Sequence, residues 1–438
     1  MEIRDPIHGS IELSRGEEKI IDSAAYQRLR QIKQLGFSEF SFPGATHNRF
    51  IHSIGACHLA GRAFDSIFRD FKFSTADKRA LLRQSLRLAA LLHDVGHGPL
   101  SHTTEEVMPF LSELKISAYE HRRTDMDPSS LFIDSKRRAD HEDYTIKFVT
   151  DSPLAEIIRK AFPDINPLNV ACLIDNSLQT PDDFFHDQGF DFRTIFSQLV
   201  SSELDVDRMD YLERDAYFCG TNYGRVELGW LLANLTYHPV NGRMHLALNR
   251  RALYTFDDFL LSRHHMHLMV YFHHKAIIYE EMLLRFLTSK DCGFRLPADI
   301  NQYIHFTDYS LYQHMATSDN EWAKRISNRR PYKMLFELHS TEPNPRAENM
   351  KAEFERHNVK VIYSNSTMRL SKYHGGSPLE RVFPIYVVDH YDRMATPYPI
   401  EDTTEIFQKY EEIRRIERLY VAPEQFDEAE TLLVEKRM

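Results

Sequence analysis

The chain has 438 residues, 42% of them hydrophobic and 12% aromatic, which predicts a sizeable core and two or three domains. Its formal net charge of −10 argues against nucleic acid or an anionic membrane surface as the main partner. Its 4 cysteines include no CxxC pair and the N-terminus has no apolar signal core, so we predict a reducing, cytoplasmic location. No apolar run approaches the roughly 20 residues that a membrane span needs.

The first part of the chain is predicted to form a hairpin followed by three helices. Residues 3–13 alternate loosely around a proline and a glycine, which indicates a short hairpin. Helical patterns follow over residues 17–35, 47–71 and 74–92. We expect Ser74 to be the N-cap of the third helix.

The third predicted helix leads into residues 91–102, which hold three histidines and an aspartate. His93 continues the apolar stripe of the helix, so it is expected to face the interior together with Asp94. A buried pair of this kind is costly unless it is hydrogen-bonded or binds a metal ion. A purely structural hydrogen bond is the ordinary interpretation of an isolated His-Asp pair, but the additional His97 and His102 favour a metal site.

Residues 201–219 form the second informative stretch. On a helix, Asp207, Tyr211 and Asp215 lie four residues apart on one face, with Arg208 at its border. A charged face in contact with solvent is the alternative interpretation. The narrow apolar stripe between so many carboxylates leaves both interpretations open from this stretch alone.

The rest of the chain is predicted to change from helical to mixed structure. Asn241–Gly242 is typical of a hairpin turn within residues 226–253, and a long helix is expected from Thr255 to about Ser289. Beyond residue 294, strand-like runs at 334–338, 359–364, 383–388 and 418–422 alternate with helical segments at 346–357 and 402–415. The predicted fold class is therefore mainly α, with a helical core over residues 1–290 and a smaller C-terminal α+β lobe over residues 291–438.

Together these stretches predict one metal site built from three helices. Imidazole and carboxylate ligands without a thiolate suit Mg, Mn, Fe or Zn, and such an ion activates water and polarises a phosphoryl oxygen. The candidate ligands are His52, His93, Asp94 and Asp207.

Further residues complete a candidate site for a phosphorylated substrate. A histidine just outside the metal ligands, His97 or His102, can protonate a leaving oxygen. Arg49 and Arg208 offer cations for phosphate oxygens. Tyr211 and Asp215 can hold a neutral part of the substrate, since an aspartate accepts from sugar hydroxyls. This set points to hydrolysis of a phosphate ester.

The same residues lie in motifs that resemble the HD-domain phosphohydrolase superfamily, and within it the deoxynucleoside triphosphate triphosphohydrolases, including dGTPase-like members. The similar blocks run in order through the first 290 residues. They are Asp5-Pro6-Ile7-His8-Gly9, Gln27 to Arg30, Ile32 to Gly36, Phe42 to Ser53, His93 to His102, His141-Glu142 and Asp205 to Tyr211.

The resemblance implies a role for each matching position. His52, His93, Asp94 and Asp207 match metal ligands. His97, His102 and His141 match the catalytic histidines and those just outside the metal ligands, and Glu105 stands where the family often has an aspartate. Residues that hold deoxyribose and phosphates are matched by Gln34, Leu35, Arg49, Arg208, Tyr211 and Asp215. Arg208 replaces a lysine, and the choice between Arg263 and His264 for a further phosphate-binding residue stays open.

The implied reaction is attack of metal-activated water on the α-phosphorus of a dNTP, which releases a deoxynucleoside and inorganic triphosphate, with His102 as general acid. The resemblance also implies a homo-oligomer, a tetramer, activated by a nucleotide at a site between subunits. Asp22, Gln27, Arg30, Arg329 and Lys333 match that nucleotide site, and the C-terminal lobe would then be regulatory. Two alternatives are another HD phosphohydrolase acting on monophosphates or guanosine alarmones, and a non-catalytic nucleotide sensor.

Overall fold

The structure is a computed structural model that describes residues 1–123, 134, 136–368, 384–392, 394–403 and 413–436. It confirms the predicted fold class, since helices dominate residues 15–327 and a small α+β lobe follows. The described α-helices up to residue 219 are α1 Arg15–Ile21, α2 Ala24–Gln27, α3 Arg49–Ile67, α4 Ala76–Leu92, α5 Leu111–Leu114, α6 His141–Thr150, α7 Pro153–Ala161, α8 Pro167–Ile174, α9 Arg193–Val200 and α10 Val206–Cys219. Among the described residues, no helix is both long and apolar enough to cross a bilayer.

The helices that follow carry the chain into the C-terminal lobe. They are α11 Leu228–Ala233, α12 Leu253–Met266, α13 His274–Thr288, α14 Ile300–Tyr303, α15 Asp308–Ala316, α16 Glu321–Ser327, α17 Arg346–Arg356 and α18 Phe426–Glu435. The described strands are β1 Glu2–Asp5, β2 Gly9–Glu12, β3 His186–Asp187, β4 Phe190–Asp191, β5 Leu235–Val240, β6 Arg243–Asn249, β7 Lys333–Ser340, β8 Val361–Met368, β9 Tyr386–Val388, β10 Tyr398–Pro399 and β11 Arg414–Val421.

Both predicted hairpins are confirmed. β1 and β2 pair antiparallel, with Asp5 opposite Gly9. β5 and β6 pair around Asn241 and Gly242, whose φ angles of 50° and 77° suit a tight two-residue turn. β6 also pairs in parallel with β9, so the segment around residue 386 joins the sheet of this hairpin.

Two long helices predicted from periodicity are wrong, because the structure interrupts each of them, one at a new N-cap and the other at a π-helical turn. Residues 17–35 form α1, α2 and a 3-10 turn over Arg28–Gln31, since Ser14 and Ser23 each accept a hydrogen bond from a backbone N–H and start a new helix. Residues 255–289 divide into α12 and α13, separated by a π-helical turn over His267–Tyr271.

The site is built on three helices that pack side by side, α3, α4 and α10. Asn48 caps α3 by accepting from the Ile51 N–H. The expected N-cap of α4, Ser74, is wrong by one residue, because Thr75 Oγ1 accepts the Lys78 N–H and the helix begins at Ala76. α4 ends at Leu92, where the His-Asp pair follows, and α3 packs against both α4 and α10.

The C-terminal lobe contains the antiparallel sheet β7-β11-β8 with α17 and α18 packed on it. A small core of its own includes Met350, Phe354 and Leu419. The predicted strands and the helix at 346–357 are found here, except that 383–388 pairs with β6 instead, and Phe383 lies outside the described residues. Most of the predicted helix at 402–415 also lies outside them, and residues 414–415 belong to β11. The domain division at residue 290 stays a prediction.

Candidate metal centre and active site

Four predicted metal ligands meet where α3, α4 and α10 come together. His52 lies in the first turn of α3, His93 and Asp94 follow the end of α4, and Asp207 begins α10. The Nε2 atom of His52 lies 3.0 Å from Asp207 Oδ1 and 3.7 Å from Asp94 Oδ2. The Nε2 atom of His93 lies 3.5 Å from one oxygen of each aspartate. Two imidazoles and two carboxylates from three helices therefore converge on one point.

The second nitrogen of each histidine ring has a partner that fixes the ring. His52 Nδ1 lies 2.8 Å from Asp210 Oδ2, and His93 Nδ1 lies 2.8 Å from the carbonyl oxygen of Ala90. Both partners are acceptors, so each Nδ1 carries the proton and donates it. The buried Nε2 atoms of both rings have no hydrogen-bond partner among the described residues. Two imidazole nitrogens that face carboxylates without a hydrogen bond of good geometry fit a divalent metal ion between them.

The charges around these ligands favour ionised carboxylates. Burial raises the pKa of Asp94, but Arg49, whose Nη1 donates to Asp94 Oδ2 at 2.5 Å, holds that pKa well below its usual range. Burial likewise lowers the pKa of His52, but Asp207 and Asp210 outweigh it and raise the pKa to about 10. A divalent ion bound at this nitrogen would therefore have to displace a proton.

A second cluster lies beside the first and contains the four residues predicted to be catalytic. His97 Nε2 lies 3.2 Å from Asp94 Oδ1, and the His97 ring stacks on His141 with centroids 3.8 Å apart. Glu105 Oε1 accepts from Nδ1 of His141 at 2.7 Å and from Nδ1 of His102 at 3.1 Å. The side chain of His102 is 68% exposed, so this cluster opens to solvent on one side.

The two less exposed histidines of this cluster, His97 and His141, have pKa values shifted in opposite directions. Burial and the Arg49 guanidinium hold the pKa of His97 well below its usual value, so this ring is neutral. Burial also lowers the pKa of His141, but the hydrogen bond and charge of Glu105 raise it overall. Burial raises the pKa of Glu105, but the hydrogen bonds and charges of His102 and His141 outweigh burial and lower the pKa to about 2. The cluster can therefore hold a neutral His97 ring beside a protonated His141 ring whose Nδ1 donates to Glu105.

The loop between the clusters is held by residues that sequence reasoning missed. Buried Arg28 donates to the carbonyl oxygens of Val95 and His97 at 2.9 and 2.6 Å. Asp308 accepts the Leu100 N–H at 2.8 Å and the Lys33 N–H at 2.9 Å. Asp308 lies more than 200 residues from both of its donors, so no local sequence pattern indicates these hydrogen bonds. Arg28 does lie in one of the motif blocks, although its role there was not predicted.

Asp215, one of the predicted substrate residues, accepts a hydrogen bond on each of its carboxylate oxygens. Its Oδ1 accepts from His47 Nε2 at 2.7 Å, and its Oδ2 accepts from the Tyr271 hydroxyl at 2.8 Å. His47 and Tyr271 were not singled out from the sequence. The π-helical turn that breaks the predicted long helix ends at Tyr271, so that break positions the hydroxyl on Asp215.

The other predicted substrate residues lie around these clusters. Gln34 and Leu35 are half-buried, and the Gln34 N–H donates to the His47 carbonyl at 3.0 Å. Arg49 also donates to Ser101 Oγ, at 3.1 and 2.9 Å. Buried Arg208 has its Nη1 at 3.4 Å from Asp205 Oδ2, and the Tyr211 ring lies 6.2 Å from the Tyr271 ring. In this structure both arginines are thus next to carboxylates.

The residues matched to a nucleotide site between subunits lie on the surface in two places. Asp22 and Arg30 are exposed, and Gln27 Oε1 accepts from Arg30 Nε at 2.8 Å. The Arg329 guanidinium lies over the Phe40 ring at 4.9 Å, and Lys333 Nζ lies over the Phe426 ring at 5.1 Å. The structure does not bring the two groups into contact within the chain, and their role stays a prediction.

Comparison with known proteins identifies two family regions in the chain. The HD domain model matches residues 49–173, and the HD associated region model matches residues 231–366. The protein MJ1154 of Methanocaldococcus jannaschii is 28% identical over 78% of this chain and 61% of its own length. A deoxynucleoside triphosphate triphosphohydrolase SAMHD1 homolog of Dictyostelium discoideum is 28% identical over 77% of this chain and 60% of its own length.

A solved structure supports the fold as a whole. A hypothetical protein from Aquifex aeolicus superposes with a TM-score of 0.73 at 24% identity and covers 99% of both chains. The present chain spans about three fifths of the length of the two curated relatives named above. The HD model includes His52, His93 and Asp94, three of the four residues that converge at the candidate metal centre. The chain belongs to the HD-domain family, and it carries the HD-associated region after its HD domain.

Proposed function

We propose that this protein is a metal-dependent deoxynucleoside triphosphate triphosphohydrolase, which cleaves a dNTP into a deoxynucleoside and inorganic triphosphate. The observation that carries the proposal is that the metal-ligand cluster and the histidine cluster share an edge, with His97 Nε2 3.2 Å from Asp94 Oδ1. Relatives from Dictyostelium discoideum, Xenopus laevis and Gallus gallus bear the name of this activity and support the choice of substrate.

The chain's own residues suit each part of the reaction. A divalent ion held by His52, His93, Asp94 and Asp207 would supply a Lewis acid and lower the pKa of a bound water. Because Glu105 accepts the Nδ1 protons of His102 and His141, both rings keep Nε2 free to exchange a proton with the substrate. The more exposed ring, His102, is our choice for the general acid that protonates the leaving oxygen.

The part of the site that would hold the nucleoside lies around Asp215. An ionised aspartate only accepts hydrogen bonds, and Asp215 already accepts from His47 and Tyr271, so it can take one more from a sugar hydroxyl. Leu35 would form an apolar wall that disfavours a 2′-hydroxyl, which would have no partner there. Arg49, at the boundary of both clusters, would meet the phosphate oxygens.

The proposal includes a homotetramer that is activated by a nucleotide bound between subunits. Exposure of Asp22, Arg30, Arg329 and Lys333 is compatible with such a contact. We expect GTP or a dNTP to raise both the oligomer mass in light scattering and the rate of hydrolysis. A fully active protein whose mass does not change with nucleotide would remove this part of the proposal.

Product analysis of metal-loaded protein tests the activity. Each dNTP, alone and with GTP, is incubated with Mn²⁺-loaded protein, and inorganic triphosphate is separated from phosphate and pyrophosphate. Triphosphate release supports the proposal, whereas stepwise phosphate release would indicate another HD phosphohydrolase. Nucleotide binding without any product would indicate a sensor.

A matched pair of variants on α10 accompanies this assay. Asp207→Ala should abolish triphosphate release. Glu213→Ala, on the same helix and with the same change of charge, should not, because none of the site contacts described above involves Glu213.

A further inference from the structure

His8, in the N-terminal hairpin, is far from the candidate metal ligands in sequence but reaches them through one residue. Asp5 Oδ1 accepts the backbone N–H groups of Ile7 and His8 at 2.9 and 2.8 Å, which fixes the turn between β1 and β2. The turn places His8 Nε2 2.6 Å from Asp210 Oδ1. The His8 side chain is only 3% exposed, so the hairpin is docked here.

Asp210 is surrounded by donors on both of its oxygens. Oδ1 accepts from His8 Nε2 and from Arg214 Nη2 at 2.8 Å, and Oδ2 accepts from His52 Nδ1 and from Arg214 Nε at 2.7 Å. A carboxylate has about four lone-pair sites, so all of them are used. The side chains of Asp210, Arg214 and His52 have no solvent exposure.

We propose that His8 and Asp210 are positioning residues of the metal centre, which hold His52 with its Nδ1 proton donated and its Nε2 lone pair directed at the metal ion. The ionised Asp210 accepts only, so a ring nitrogen facing it must be a donor. In the neutral form of His52 that a metal ion would require, Nε2 then carries the lone pair, next to Asp207 and Asp94. His8 donates to the opposite oxygen of Asp210 and, together with Arg214, keeps the carboxylate from rotating away from His52.

Gly55, one turn after His52 on α3, gives independent support. A Cβ atom at this position would lie 1.9 Å from Asp210 Oδ1 and 2.5 Å from Arg214 Nη2. The Asp210 carboxylate therefore packs directly against the backbone of the helix that carries His52. Such close approach fixes the distance between the two helices as well as the orientation of the ring.

The inference rests on the proposed metal-dependent function, because it assigns a role towards the ion. Partners of this kind typically alter metal affinity by about 10- to 100-fold when they are removed. His8→Leu removes the donor and leaves an apolar side chain of comparable size, whereas His8→Gln can present an amide N–H to the same oxygen. Asp210→Ala removes the acceptor of His52.

Glu17 provides the control for loss of a buried charge pair. Its carboxylate binds Arg87 through two hydrogen bonds, at 2.7 and 2.9 Å, as Asp210 binds Arg214, and it is equally buried. Glu17→Ala should therefore destabilise the fold about as much as Asp210→Ala. Glu17 contacts no candidate metal ligand, so the affinity for metal should stay at the wild-type value.

The experiment measures Mn²⁺ affinity of the full chain by calorimetry and the visible absorption of the Co²⁺-loaded protein. We expect about 10- to 100-fold weaker binding for Asp210→Ala, about tenfold for His8→Leu, and near wild-type binding for His8→Gln and Glu17→Ala. The Co²⁺ spectrum should change in the first two variants only, because it reports ligand geometry and not stability.

Failure of the inference and failure of the proposed function give different results. If wild-type protein binds neither Mn²⁺ nor Co²⁺, the proposed metal-dependent function is refuted. If wild-type protein binds and His8→Leu matches it in affinity and spectrum, the inference alone is refuted. Equal losses in His8→Leu and His8→Gln would also refute it, because the donor would not matter. The His8 pair decides the question even if Asp210→Ala does not fold.

Discussion

Substitution of Gly55 by alanine would push the Asp210 carboxylate away from α3, the helix that carries His52. The new Cβ would lie 1.9 Å from Asp210 Oδ1, whereas ordinary contact begins at 3.4 Å, so the carboxylate must move by about 1.5 Å. That movement breaks its contacts with Arg214 and His8, because each of these is already at hydrogen-bond distance. Breaking a buried charge pair costs about 3–5 kcal/mol.

The net effect is smaller because alanine favours a helix. Replacing glycine in a helix interior gains about 1 kcal/mol, so the free energy of unfolding should fall by about 2–4 kcal/mol. That is a large part of the roughly 5–15 kcal/mol that stabilises a typical protein. Urea unfolding followed by circular dichroism measures the loss, and Mn²⁺ calorimetry on the folded fraction should show weaker binding.

Gly229→Ala provides the control, since Gly229 also lies in a helix, α11, and a Cβ atom there would meet nothing within 4 Å. This variant should be as stable as wild type or slightly more so. If Gly55→Ala were as stable as Gly229→Ala and kept its Mn²⁺ affinity, the close packing of Asp210 against α3 would not have the consequence that we assign to it.

Further variants test other parts of the site and fold. Asp207→Asn, which keeps the shape of the side chain but loses its charge, should bind Mn²⁺ more weakly and lose triphosphate release, and unchanged affinity would contradict its place among the ligands. Glu105→Ala should lower kcat by about 10²-fold with little change in Mn²⁺ affinity, because Glu105 orients His102 and His141 and no candidate metal ligand. An unchanged kcat would argue against the catalytic role of these two histidines. Burial raises the pKa of Glu17, but Arg87 outweighs burial and lowers the pKa below the ordinary value of 4.5. The Glu17–Arg87 pair therefore stabilises the protein fully above pH 4.5, and this stabilisation is lost as the pH falls below 4.5 towards the pKa of the folded state. The stability difference between wild type and Glu17→Gln in urea should therefore shrink below pH 4.5, and a constant difference down to pH 3 would contradict this reasoning.

Local patterns in the sequence were sufficient for features that depend on neighbouring residues. Apolar periodicity predicted α4 and placed His93 at its end, and Asn241–Gly242 predicted the turn between β5 and β6. Periodicity failed where a cap or a tertiary contact competes with helix extension. Ser23 caps the start of a new helix directly after α1, and the π-helical turn before Phe272 places Tyr271 on Asp215.

The sequence by itself determined the types of group available to the site: imidazoles and carboxylates at helix ends, in motifs that carry a family resemblance. Only the tertiary structure decided which of them meet. His8, His47, Asp210 and Asp308 act through hydrogen bonds to residues more than 150 positions away. The physical reason is that a buried charged group needs a partner, and the packing of helices, not the spacing along the chain, determines which partner lies within about 3 Å.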